Sequence, residues 1–494
     1  MDKNSSTVVV AGPPEASTSS PGVKVGFVSL GCPKNLVDSE VMMGMLAQGG
    51  AQLETDAARA DVIVVNTCSF IDSAQQESVD TILEMARLKS EGRARKLIVA
   101  GCLVERYRDQ IRKNIPEVDA VVGTGELDKI LSAAGVAEPE SNSPFRILQS
   151  RPEGTARELQ GRFSRESWDG ALADLPNYLY DEHTPRVLST PGHSAYVKIA
   201  EGCDHPCTFC IIPQLRGKFR SRRFESVIAE AEQLARSGVR EITLIGQDTT
   251  CYGEDFDLKD GLALLLEKLA MLEELRWVRF LYAYPNKITG RLLDTIARHD
   301  KICSYIDVPL QHASPSALKR MKRGGGTDVF LRLIEKIRRS IPGVTLRTSF
   351  IVGFPGETEK EFEELCDFVR EAEFDWMGTF GYSDQEGAAA YHEDQKLSPR
   401  EIERRRKHLM KIQQGISKRK KKALVGREFD LLLEGSSEES ELLLEGRTPM
   451  HAPEIDGKLF ITDLPDGMEP RPGSFYRCHI TEAHDYDLIG RILE

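Results

Sequence analysis

The stretch YVKIAEGCDHPCTFC, residues 196–210, decides the reading of this 494-residue chain. Tyr196 to Ala200 has strand character and delivers the chain to Cys203, Cys207 and Cys210, in C-x3-C-x2-C spacing. Three thiolates so placed wrap one face of an iron-sulfur cube and leave its fourth iron without a protein ligand, free to take a substrate or cofactor. Zinc is the competing reading, with His205 or a distant residue as fourth ligand, although zinc cysteines come more often as two C-x2-C pairs.

Downstream, EITLIGQ, VRFLYA, YIDVPLQ, VTLRTSFIVG and WMGTFGYS are separated by helical stretches. With YVKIA they make six strand-helix units and predict a parallel α/β barrel, full or partial, over residues 191–395. Over residues 23–139, KVGFVSL, DVIVVN, KLIVAG and AVVG alternate with amphipathic segments and predict a parallel sheet with helices on its faces. Cys32, Cys68 and Cys102 each follow one of these strands, and parallel sheets gather ligands at their carboxyl edge. Singly, each reads as an ordinary buried cysteine. Their repeated position predicts a second three-cysteine cluster site. Cys251, Cys303, Cys366 and Cys478 show no such pattern and are expected to be structural.

Residues 1–22, rich in Ser, Pro, Ala and Gly, lack a basic start and an apolar core, and read as a disordered tail rather than a signal peptide. Residues 140–190 lose periodicity and are expected to be a linker. Residues 396–422 form a basic helical connector ending in KRKKK, and residues 423–494 carry short strands broken by Gly and Pro, as in a small β-barrel. Apolar runs such as Val62 to Val65 fall far short of the ~20 residues that cross a bilayer. Ten cysteines are too sparse for a secreted disulfide scaffold. Together these predict a cytoplasmic protein with no membrane partner. The net charge of -12 argues against a surface that grips nucleic acid all over.

The segment KIAEGCDHPCTFCIIPQLRGKFRSR resembles the cluster motif of the radical S-adenosylmethionine (SAM) methylthiotransferases. SLGCPKNLVDSE, NTCSFIDSAQQES and AGC resemble the amino-terminal cluster domain of that family, and GQDTTCYG, LYAYP, DVPLQH, LRTSFIVGFPGET and GRTPMHAPEIDG extend the likeness over roughly Lys24 to Glu494. GCPKNLVDSE and DVPLQH are similar to the branch that modifies an aspartate of protein twelve of the small ribosomal subunit, whereas tRNA-modifying relatives tend to read GCQMN and PVQSGS. His451 stands where that branch often carries an acidic residue.

The resemblance implies two 4Fe-4S clusters and SAM. The Cys203, Cys207, Cys210 cluster would bind SAM and reduce it to a 5'-deoxyadenosyl radical. That radical would take the hydrogen of an aspartate β-carbon, which no side-chain base removes as a proton at useful rates. The Cys32, Cys68, Cys102 cluster would present methylated sulfur to the resulting carbon radical. SAM is expected across the carboxyl ends of the barrel strands, near Phe209, Gln247, Gln311, Gly353 and Phe354. Each has a plainer reading: Phe209 as core, the glutamines as solvated strand ends, GFPGET as a turn capping the next helix. The implied partners are a basic small-subunit ribosomal protein and an external electron donor. A tRNA methylthiotransferase and a non-catalytic cluster carrier are the alternatives.

Residues 423–494, a TRAM domain by the resemblance, hold 16 acidic and 6 basic side chains, a net charge of -10 that repels phosphate backbones and attracts a basic protein. Neutralising Glu438, Glu439 and Glu441 is expected to slow that association. Residues 396–422 hold 12 basic and 2 acidic side chains, net +10, with two possible destinations: ribosomal RNA or the acidic terminal domain.

Overall fold

The computed structural model describes residues 22–137, 175–437 and 440–493. The first domain runs β1 (Lys24–Ser29), α1 (Pro33–Gln48), β2 (Gln52–Glu54), β3 (Val62–Thr67), α2 (Asp72–Glu91), β4 (Lys96–Gly101), α3 (Cys102–Asn114), β5 (Ala120–Val122) and α4 (Ile130–Ala134). Its sheet is parallel throughout, in the order β2-β1-β3-β4-β5. Every residue of β3, VIVVNT, is buried, as a central parallel strand covered on both faces requires. Val64 and Ile98 pack on Val37 and Val41 of α1, while Ile63 and Leu97 face Ile82 of α2 and Val104 of α3. Strand order reverses between β1 and β3, and such a reversal opens a crevice at the carboxyl edge of the sheet.

The central domain runs β6 (Ser194–Lys198), β7 (Ala200–Glu201), α5 (Ile212–Arg216), β8 (Arg220–Ser221), α6 (Phe224–Arg236), β9 (Glu241–Ile245), α7 (Gly261–Ala270), β10 (Trp277–Phe280), α8 (Gly290–Arg298), β11 (Tyr305–Asp307), α9 (Pro315–Arg320), α10 (Thr327–Ser340), β12 (Thr345–Val352), α11 (Glu359–Ala372), β13 (Trp376–Gly381) and α12 (Pro399–Lys422). The strands β6, β9, β10, β11, β12 and β13 lie parallel in chain order, as two three-stranded sheets joined by the bridge Val278–Ile302. They form an open arc, the partial form of the expected barrel. Val197, Leu244, Phe280 and Ile306 point outward into the helices. The alternate positions, Lys198, Glu241, Arg279 and Asp307, put buried charge on the inner face.

The terminal domain is a closed barrel of β14 (Glu428–Ser437), β15 (Ser440–Arg447), β16 (Leu459–Asp463), β18 (Leu488–Ile492) and β17 (Phe475–Ala483), in that spatial order. Its β15–β16 loop docks on the arc at the amino ends of the strands. Arg447 pairs with Glu241 at 2.6 Å, the Tyr305 hydroxyl donates to Asp456 at 2.6 Å, and Trp376 Nε1 donates to the Met450 carbonyl at 2.8 Å; Glu241, Tyr305 and Trp376 are the first residues of β9, β11 and β13. His451 lies in this joint, tilted against Trp376. Burial, with Lys421, Arg279 and Arg447 nearby, holds it neutral. This family departure therefore concerns a domain interface.

Most of the charge of α12 is spent inside the chain. Arg404 and Arg405 pair with Glu359, Lys420 with Asp375 and Arg419 with Glu373, while Lys421 lies 3.4 Å over the Trp376 ring. Only Lys418, at 3.5 Å from Asp485, pairs with the terminal barrel among the described residues. Within the chain, the connector therefore packs mainly on the central domain rather than on the acidic terminal barrel. The expected tail falls almost wholly outside the described residues, as do Glu438, Glu439 and the Glu441 side chain. So does the expected linker up to residue 174. From residue 175 to 190 the chain has no helix or strand, but Tyr180 is buried and Arg186 pairs with Glu40 of α1 at 2.5 Å.

Candidate active site

The loop between β7 and α5 carries Cys203, Cys207 and Cys210, all free and half-buried. The Cys203 N–H donates to the Gly217 carbonyl and that of Cys210 to the Cys207 carbonyl, both at 3.2 Å. Thr208 ties the loop to the end of α9, with its N–H 3.1 Å from the Met321 carbonyl and its hydroxyl 3.0 Å from that of Arg320. Arg323 reaches within 3.5 Å of the Cys207 sulfur. Burial, with the neighbouring thiols adding to it, pushes Cys203 and Cys210 up to about 12. Crowded thiols that ionise so reluctantly fit a cationic metal group, which supplies the missing positive charge. His205 is engaged elsewhere: its Nε2 shares a 2.6 Å hydrogen bond with Asp248, and its ring stacks on Tyr284 at 3.9 Å. This is unlike a fourth zinc ligand. Cys251, expected to be structural, donates to the same carboxylate at 3.1 Å, and the three ligand atoms lie within 4.8 Å of one another.

The second triad is assembled by the sheet. Cys32 caps α1 after β1, Cys68 follows β3 and Cys102 opens α3 after β4, on three adjacent parallel strands. Two glycines make the approach possible. Gly31, at φ +90°, would carry a Cβ only 2.7 Å from Cys68 Cβ, and Gly101, at φ +92°, one 2.6 Å from the Thr67 carbonyl oxygen. Ser78 of α2 clamps the Cys68 backbone, receiving its N–H at 3.0 Å and donating to its carbonyl at 2.9 Å. Burial raises Cys102 to about 12, although the Arg216 guanidinium opposes the shift. Here too the donor set fits a cationic cluster.

One apolar cluster links the two cysteine-bearing segments. Cys102 packs in one apolar cluster with Ile211, the residue after Cys210, and with Leu215 and Ala388. Around this contact lies a buried charge network that crosses the domain interface. Asp38 of α1 accepts from Lys198 and Arg216 of the central domain, both at 2.5 Å, and Glu201 accepts from Lys198 at 2.6 Å. Despite burial, those two cations hold the Glu201 carboxyl below the usual carboxylate range. Outside it, the buried Gln385 latches the domains by donating to Asp72 at 2.8 Å and accepting from Arg106 at 2.5 Å. Residue-by-residue reading missed this network. Its available signal was charge inside otherwise apolar strands, as at Lys198 and Glu201.

Among the expected SAM contacts, Gln247 donates to Glu201 at 2.6 Å and leaves its buried Oε1 unpartnered. Gln311 and Tyr282, beyond the ends of β11 and β10, hold left-handed backbones at φ 72° and 64°, strain that collects at functional sites. Phe209 is half-buried against Phe354, Met321 and Ala390. The Gly353 and Phe354 N–H groups already donate to Glu357, at 2.5 and 3.1 Å. GFPGET is thus a capped turn, and its backbone donors are taken. Among the described residues, no helix is long and apolar enough to cross a membrane.

Residues 24–123 match the Uncharacterized protein family UPF0004, residues 197–369 the Radical SAM superfamily and residues 425–493 the TRAM domain. The radical SAM match implies a 4Fe-4S cluster and SAM. The chain is 69% identical over 486 residues to the ribosomal protein uS12 methylthiotransferase RimO of Koribacter versatilis, covering 95% of this chain and 96% of that protein. It is 57% identical to the enzyme of that name from Solibacter usitatus, covering 95% of each. For that of Trichlorobacter lovleyi the identity is 45%, covering 95% of this chain and 98% of that protein. By these identities over nearly the whole of both chains, the chain belongs to the RimO family of radical SAM methylthiotransferases.

Proposed function

We propose that this chain inserts a methylthio group at the β-carbon of an aspartate of ribosomal protein uS12, using one 4Fe-4S cluster held by Cys203, Cys207 and Cys210 and a second held by Cys32, Cys68 and Cys102. The observation that supports this reading is the apolar cluster that Cys102 shares with Ile211, the residue after Cys210. When bound, the groups supply reductive SAM cleavage at the first triad and sulfur at the second. The protein's part is to hold the sites in fixed relation and exclude water. Asp38, Lys198, Glu201 and Arg216 do so from inside the interface and Gln385 from its edge. SAM is assigned to the carboxyl ends of the arc strands, lined by Phe209, Gln247 and Gln311, with Gly353 and Phe354 as wall.

The acidic terminal barrel favours a basic protein substrate. Arg400, Lys411 and Lys422, without an ion pair among the described residues, are what α12 has left to meet ribosomal RNA. An external one-electron donor is required, and a ribosomal substrate sets the reaction in the cytoplasm. Mass spectrometry of uS12 and of tRNA from cells with and without this gene tests the reading. Loss of the methylthio mark from uS12 is expected, and loss from tRNA alone overturns it.

A further inference from the structure

Between the triads, three buried cations come from CPKN, YVKI and QLRG: Lys34, Lys198 and Arg216. Lys198 and Arg216 share two carboxylates, Asp38 and Glu201, so their charge is balanced. Lys34 is different. It is 9% exposed and has no ion pair with any carboxylate among the described residues. Its ammonium lies 3.4 Å from the centre of the Tyr282 ring, and it stands two residues after Cys32. The Tyr282 side chain accepts a hydrogen bond from the ammonium and the nearby Cys32 sulfur favours its charge, but no carboxylate among the described residues shares it.

Beyond Tyr282 and Cys32, no carboxylate among the described residues balances the cation. Lys34 is the second residue of α1, where the helix dipole favours negative rather than positive charge. Tyr282, beyond the carboxyl end of β10, is held with φ 64° and its N–H 3.0 Å from Asp307 Oδ2, and so presents its ring to α1 from across the domain interface. A buried ammonium at a helix amino end, backed by an aromatic face, is a site for a carboxylate. The aspartate that the reaction modifies carries one.

We infer that Lys34 binds the side-chain carboxylate of the target aspartate, held by Tyr282 so that the β-carbon faces the gap between the two triads. This inference rests on the substrate reading above and deepens it. An ammonium–carboxylate contact here discriminates aspartate from asparagine, which is nearly the same shape but uncharged, and it orients the residue before any chemistry occurs.

The test is peptide binding to anaerobically reconstituted protein, followed by fluorescence anisotropy. The probes are a uS12 peptide spanning the target aspartate and its asparagine counterpart. Wild type is expected to prefer the aspartate peptide by about tenfold or more, the scale of one charge-assisted hydrogen bond. Lys34→Met should abolish the preference by weakening the aspartate peptide alone, and Lys34→Arg should keep part of it. Iron content and thermal melting of each variant show whether the fold and both clusters persist. If Lys34→Met retains the full preference, or weakens both peptides equally, Lys34 does not read the carboxylate. If it sheds about half the iron, Lys34 serves the neighbouring cluster instead, and the inference falls. Equal wild-type affinity for both peptides also overturns it. A wild type that binds neither peptide overturns the substrate reading as well, so the two failures are told apart.

Discussion

Cys203, Cys207 and Cys210 lie within eight residues of one loop, whereas Cys32, Cys68 and Cys102 come from the ends of three neighbouring strands. The loop triad owes its geometry to chain spacing, with Thr208 and Arg323 pinning it to the end of α9. The sheet triad owes its geometry to the pairing of β1 with β3 and of β3 with β4, and to Gly31 and Gly101. One site is written locally and the other by topology. Built independently, they are separable by mutation, although Cys102 and Ile211 belong to one apolar cluster.

The largest effects come from removing either triad. Anaerobically prepared wild type is expected to hold about eight irons, two four-iron clusters. Cys203, Cys207 and Cys210 together changed to Ala should halve the iron and abolish reductive SAM cleavage, as read by iron analysis and chromatography of the cleaved nucleoside. Full iron in that variant, or zinc in the wild type, breaks the comparison. Cys32, Cys68 and Cys102 changed to Ala should also halve the iron but leave SAM cleavage in place while methylthio transfer to uS12 disappears. Loss of both activities in a folded protein that keeps its loop cluster would show that the sites do not divide the work.

The same contrast explains what was legible in the sequence. The C-x3-C-x2-C spacing needed no fold to be recognised, and YVKIA placed it at a strand end. The sheet triad became visible only once the strands were placed, because each of its cysteines taken singly looks like core. The barrel was legible as a class, but its opening into an arc was not, since closure depends on hydrogen bonding between strands distant in sequence. Charge counts left the destination of α12 open. Twelve basic residues at 396–422 look like a free cationic surface, yet Arg404, Arg405, Arg419 and Lys420 face acids supplied by α11 and by the segment before β13. Partners from other elements cannot be counted within one window. For the same reason the balance of Lys198 and Arg216 against Asp38 and Glu201 escaped notice.

That network supplies the next test. Asp38→Asn keeps the shape of the side chain but leaves Lys198 and Arg216 with Glu201 alone. Removing one partner from a buried ion network costs about 3–5 kcal/mol, so the variant should melt at lower temperature. Because Asp38 is on α1 and its partners are on the central domain, the damage falls on the relation between the triads. Transfer should fall by about tenfold or more, with SAM cleavage much less affected. Equal loss of both would mean that the interface supports the loop cluster as much as the sheet cluster.

The smallest expected effect concerns substrate capture by the terminal barrel, far in sequence from either triad. Asp463, Asp466 and Glu469 are exposed, lie at the end of β16 and in the following turn, and have no ion pair among the described residues. They are three of the 16 acidic side chains behind the net charge of -10. Changing them to Asn, Asn and Gln removes field without disturbing the Leu431, Leu459 and Ile480 core of that barrel. Charge at this range steers encounter more than it strengthens the final complex. The association rate with uS12 should therefore fall a few-fold, while the dissociation rate and substrate-free SAM cleavage stay near wild type. The difference should fade as salt approaches physiological strength, where the Debye length is about 8 Å. Stopped-flow binding across a salt series measures it. If the variant associates as fast as wild type at low salt, the acidic barrel does not select the substrate. Recognition would then belong to the central and first domains, where Phe70, two residues after Cys68, and Phe380 of β13 stand 39% and 48% exposed, and where an apolar contact would show no dependence on salt.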